Sequence, residues 1–154
     1  MELMPIIVQL VKELAKQEPI FSQICEEFDA DVEDAIDSVS LEFCPLDVSA
    51  KTVNGCIYLN EHLLESEVRE IIKYFAHELK HVFQQHNGLV DSNTKKEDYL
   101  DDPNEIDAFQ TQIEFMDDHY TDEEIQTYIE NLLDHHKIHG KERKEKIKEL
   151  TKDI

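Results

Sequence analysis

The chain has 154 residues, 40% of them hydrophobic and 33% charged, with a net charge of -21. That length and balance suit one soluble globular domain with its own core, and they exclude a disordered chain or a small disulfide-stapled fold. The acidic charge is spread along the whole sequence, which repels phosphate backbones and speaks against a nucleic-acid partner.

The elements can be taken in order. Pro5 is well placed at a helix start, and Ile6, Ile7, Leu10, Val11 and Leu14 give an apolar stripe for a helix over about 5–16. Pro19 interrupts it. Ile20 to Phe28 and Val32 to Ile36 read as short helices, with a strand as the alternative for the first and Asp29 or Asp31 as cap of the second. From Ser38 the period changes to two, with Val39, Leu41 and Phe43 on one face of a strand that Pro45 ends. Leu46 to Asn54 reads as a polar connection, Asn54-Gly55 as a tight turn, and Cys56 to Leu59 as a short strand. Asn60 to Leu64 is a turn or short helix.

Glu67 to Gln85 then reads as one uninterrupted helix, opened by Ser66 as N-cap and closed by Asn87-Gly88. Val68, Ile71, Ile72, Phe75, Leu79, Val82 and Phe83 form its apolar face. Asp91 to Asp102 is a polar loop, long enough to suggest a role. Pro103 starts the next helix with Asp102 as N-cap, and Ile106, Phe109, Ile113 and Met116 are its buried side. Thr121 and Glu124 form a capping box for a helix to about His135. A last, highly charged helix over about 141–152 is expected to sit loosely at the periphery of a single domain spanning 1–154. Its lysines are interleaved with Glu142 and Glu145 and read as a solvated face.

Cys25, Cys44 and Cys56 are sparse, odd in number and without C-x-x-C spacing, so they read as reduced thiols. Whether Cys44 and Cys56 face each other across neighbouring strands is left open. No export signal or membrane span is visible, and a cytoplasmic protein is expected.

The informative stretch is His77-Glu78-Leu79-Lys80-His81. Two imidazoles four residues apart stack one turn from each other on one helix face, within reach of a single cation. Glu78 projects about 100° round the helix, so it can stand beside a metal without binding it. This is the H-E-x-x-H pattern of metalloproteases, set against the blander reading of two surface histidines on an amphipathic helix. A catalytic zinc site needs a third protein ligand and one open position. His86 comes too early for the longer histidine pattern, which would need glycine at 84 and histidine at 87 where the chain has Gln84 and Asn87. Glu105 is the better candidate. It lies in the first turn of the next helix, and small Ala108 on the same face would allow close approach. Its blander reading is a first-turn acid favoured by the helix dipole. His135, His136 and His139 read as exposed imidazoles at a frayed helix end.

Strand, turn, HELKH helix, glycine, loop and then Pro-Asn-Glu-Ile-Asp-Ala together resemble the gluzincin group of zinc metallopeptidases over roughly residues 55–116. The resemblance implies an α+β, zincin-like fold, mostly helical, with a small β-sheet packed on the active-site helix. It implies zinc held by His77, His81 and Glu105, with Glu78 as general base hydrolysing a peptide or protein substrate through a zinc-activated water. It also implies that the strand Gly55 to Leu59 is a sheet edge that receives an extended peptide. The chain departs from larger members at Phe109, where they carry an aspartate that orients a histidine; Asp101, Asp102 or Asp107 would have to serve instead. Tyr99 is the candidate donor to the oxyanion, with Tyr120 and His119 behind it. Two other readings stand beside this one: a zinc-binding interaction module without peptidase activity, and a metal-free acidic partner-binding protein. Neither the substrate nor the oligomeric state follows from the sequence.

Overall fold

The computed structural model describes residues 3–89 and 96–154, and the chain divides into two compact units, 1–88 and 89–154. The architecture is α+β: seven α-helices and one three-stranded sheet among the described residues. No helix of these residues is long and apolar enough to cross a membrane.

The first unit begins with α1 (Met4–Lys16), α2 (Pro19–Glu27) and α3 (Val32–Ser38). Pro5 and Pro19 stand in the first turns of α1 and α2, where a missing N–H costs nothing. Asp31, rather than Asp29, caps α3 by accepting the Asp34 N–H. Strands β1 (Ser40–Cys44), β2 (Ala50–Val53) and β3 (Cys56–Asn60) follow, and α4 (Val68–His86) closes the unit after a 3-10 turn at Glu61–Glu65. Leu41, Phe43, Ile57 and Leu59 turn one sheet face into the core with Phe75, Ala76 and Leu79 of α4. Phe21 of α2 meets Phe75 edge-on, with ring centroids 5.1 Å apart.

The sheet corrects two expectations. Its order is β1-β3-β2, so β3 is the central strand, parallel to β1 and antiparallel to β2, and not the free edge. The edges are β1 and β2. Secondly, part of the connection from Leu46 to Asn54 is strand β2. Its sequence, Ala-Lys-Thr-Val, carries no apolar alternation because only a half-buried face packs inward. Asn54 and Gly55 (φ 50° and 77°) make the two-residue turn that pairs β2 with β3. The placement of Cys44 and Cys56, open in the sequence, is given by the same ladder: Cys56 pairs with Ser40 and Cys44 with Asn60, so the two thiols sit at opposite ends of β1–β3, and all three cysteines are free. Ser66 also differs from expectation: α4 starts one residue later, with Glu67 at its N-cap and no side-chain cap bond.

The second unit holds a 3-10 turn at Lys96–Asp101, α5 (Pro103–His119), α6 (Asp122–His135) and α7 (Gly140–Leu150). The expected loop from Asp91 is therefore helical in its second half, and its first half lies outside the described residues. Asp102 caps α5 through the Asn104 N–H, and the Thr121–Glu124 capping box is formed in both directions. Helix α7 is not loose. Leu150 is 1% exposed, Gln110 of α5 donates to the Glu149 carbonyl, and Arg143 bonds Asp134 of α6. The Lys146 ammonium reaches the Leu100 carbonyl at 2.7 Å and also meets Asp101 and Glu149. A long lysine stem covers apolar surface while its head finds oxygen, which a count of charges does not reveal.

Candidate metal centre

Helix α4 carries no glycine or proline, and both polar and apolar residues along it are buried. His77 and His81, one turn apart, have ring centroids 4.9 Å from each other at an interplanar angle of 72°. His77 and Glu78 are 4% and 6% exposed, so the pair does not lie on an open surface. His77 is therefore not a solvated surface histidine, while His81 is half-buried.

Each neighbouring group has a defined partner. His81 Nδ1 lies 2.6 Å from Gln84 Oε1. A carbonyl oxygen only accepts, so with this partner Nδ1 carries the hydrogen. Gln84 itself is buried. The Thr52 hydroxyl of β2 donates to Glu78 Oε1 at 2.9 Å, and Glu78 Oε2 lies 3.9 Å from His77 Nε2. Gln85, one helix turn past His81, clasps the β2–β3 turn. Its Oε1 accepts the Gly55 N–H at 2.8 Å and its Nε2 donates to the Thr52 carbonyl at 3.3 Å.

Glu105 occupies the first turn of α5, behind the Asp102 cap, and Ala108 on the same face is fully buried. Among the described residues, His77, His81 and Glu105 are the one group of three His, Cys, Asp or Glu side chains that could hold a metal ion.

The remaining candidates have other surroundings. Tyr99 stacks on His136, centroids 5.0 Å apart and nearly parallel, and meets Phe109 edge-on at 6.1 Å. Phe109, standing where larger gluzincins carry an aspartate, is thus a buried core residue. His119 stacks on Phe115 within α5, and Tyr120 ends that helix. His135 and His136 meet edge-on at 5.0 Å, while His139 is the N-cap position of α7, and the three form no ligand group. His86 packs over Gly55, close enough that a Cβ there would stand 3.0 Å from its Nε2. Of the acids considered as histidine orienters, Asp101 binds Lys146 and Asp102 caps α5.

Thr52, Gln84 and Gln85 are the site neighbours that sequence reasoning missed. Gln84 was within reach of it, since a residue three after His81 shares its helix face. Nothing near Thr52 in the sequence marks it. No protein-family model, curated protein or solved structure matches the chain.

Proposed function

We propose that the protein is a zinc-dependent metallopeptidase of the gluzincin kind, with a zincin-like arrangement of sheet and H-E-x-x-H helix. The observation that carries this reading is the placement of Glu78. It is buried, its Oε1 is held by Thr52, and its Oε2 stands 3.9 Å from His77 Nε2. A carboxylate held beside an imidazole pair, rather than turned out to solvent, is what a general base at such a site requires.

His77, His81 and Glu105 would hold the ion. Zinc, when bound, supplies Lewis-acid polarisation of a carbonyl and makes water acidic enough to be a nucleophile near neutral pH. Glu78 takes the proton of the attacking water and delivers it to the departing amine. Gln84 keeps His81 in the tautomer that presents Nε2. The outer edge of β2, not β3, is the edge next to Glu78, and it is the strand on which an extended peptide would add. The free thiols suit a reducing compartment, and cytoplasm is the proposed location.

The test is metal content together with hydrolysis of a quenched-fluorescent peptide library. Glu78→Gln should keep one zinc per chain and abolish turnover, whereas His77→Ala should lose both. Stoichiometric zinc with no cleavage of any peptide by the wild type would replace this reading with a zinc-binding interaction module. Phe109 at the place of the orienting aspartate is the feature that favours that second reading.

A further inference from the structure

The Thr52 hydroxyl has one hydrogen and two oxygens in range, Glu78 Oε1 at 2.9 Å and the Glu78 backbone carbonyl at 3.1 Å. That carbonyl lies inside α4, where the helix already supplies it with an N–H donor. The carboxylate oxygen has no such supply, so the hydroxyl hydrogen belongs to Oε1. Among the described residues no donor reaches Oε2, which is the oxygen on the His77 side.

Thr52 is itself fixed from several directions. It pairs with Ile57 across the β2–β3 ladder, and Gln85 bonds both its carbonyl and the Gly55 N–H of the adjoining turn. The hydroxyl is therefore held in place by a hairpin clamped to the same helix that carries Glu78. Rotation about the Glu78 side chain would break this bond in a site that is 6% exposed, where little water can replace it.

We infer that Thr52 is the positioning residue of Glu78: it holds Oε1 and so commits Oε2 to accept the proton of the attacking water. The inference rests on the peptidase reading above. An alternative account is that the bond merely staples β2 to α4, and Gln85 provides the comparison, since it clamps the same hairpin without touching Glu78.

Thr52→Val keeps the shape and removes the donor, Thr52→Ser keeps the donor, and Gln85→Ala loosens the hairpin alone. Two readouts apply to each: kcat and KM on a cleaved library peptide, and the side-chain carboxyl resonance of Glu78 in protein labelled with 13C-glutamate, assigned by Glu78→Gln. Thr52→Val should lower kcat about tenfold or more with KM little changed, and should move the Glu78 resonance. Thr52→Ser should restore both. Zinc content should stay at the wild-type level throughout. An unmoved resonance in Thr52→Val overturns the contact, and an equal loss of kcat in Thr52→Val and Gln85→Ala overturns the positioning role in favour of stapling. A zinc-loaded wild type that cleaves nothing fails the peptidase reading and the role together, whereas an active wild type with an unaffected Thr52→Val fails this inference alone.

Discussion

His81 donates its Nδ1 hydrogen to Gln84 Oε1 across 2.6 Å, from one turn of α4 to the next. The partner of a metal-ligating histidine is commonly a carboxylate, a carbonyl or water, and here the helix supplies an amide oxygen from within itself. Gln84→Leu should weaken zinc about 10–100-fold, because the imidazole then loses both its orientation and its preferred tautomer. Competition against a chelator of known affinity measures this. An unchanged dissociation constant would take Gln84 out of the site.

Glu105 makes an independent prediction. If its carboxylate is the third ligand, Glu105→Ala leaves two imidazoles on one helix, and affinity should fall at least as far as in Gln84→Leu. Wild-type zinc stoichiometry and affinity in Glu105→Ala would show that the first-turn acid serves the α5 dipole alone.

Lys12 is 8% exposed, and its ammonium donates to the Val39 carbonyl at 2.6 Å and the Asp37 carbonyl at 3.2 Å, where α3 ends and β1 begins. Lys12→Met should keep most of the apolar stem and leave two carbonyls without that donor, a loss of about 2 kcal/mol. Urea denaturation followed by circular dichroism reads it. A change under about 0.5 kcal/mol, the range of neutral surface substitutions, would mean that water replaces the ammonium freely.

Burial, with the nearby Asp31 charge adding to it, pushes the Cys25 thiol from 9.0 up to about 11. The folded protein thus favours the neutral thiol more than the unfolded chain does. The sign follows: this contribution to stability is complete below pH 9, and it is lost as pH rises through about 11. Cys25→Ala should flatten that part of the stability curve. Iodoacetamide at pH 8 should modify Cys44 and Cys56 of the native protein well before Cys25, as mass mapping would show. Equal labelling of all three would contradict the burial of Cys25.

Much of the local structure was legible because its causes are local. The prolines at α1, α2 and α5, the Thr121–Glu124 box and the Asn54-Gly55 turn each act within a few residues, and each is where its chemistry requires. Helix α1 also forms where its stripe predicts, but Ile6 and Leu10 of that stripe stay exposed while Val11 is buried. His77, Glu78 and His81 belong with these, since helix geometry alone sets two imidazoles one turn apart and the carboxylate beside them.

The pairings between elements were not legible, because they depend on which surfaces meet. A four-residue strand with lysine and threonine in it gives no periodic signal, and it becomes β2 only because β3 offers it a free ladder. That same pairing puts β3 in the centre of the sheet, against expectation, and delivers the Thr52 hydroxyl to Glu78. Charged α7 looked peripheral until Lys146 and Leu150 found their places in the second unit. The sequence by itself determined the helices, their caps and the imidazole pair, through interactions spanning a turn or two of chain. Only the tertiary structure decided which strand lies at the edge and what holds Glu78, since hydrogen bonds between distant residues exist only once packing has brought their donors and acceptors together.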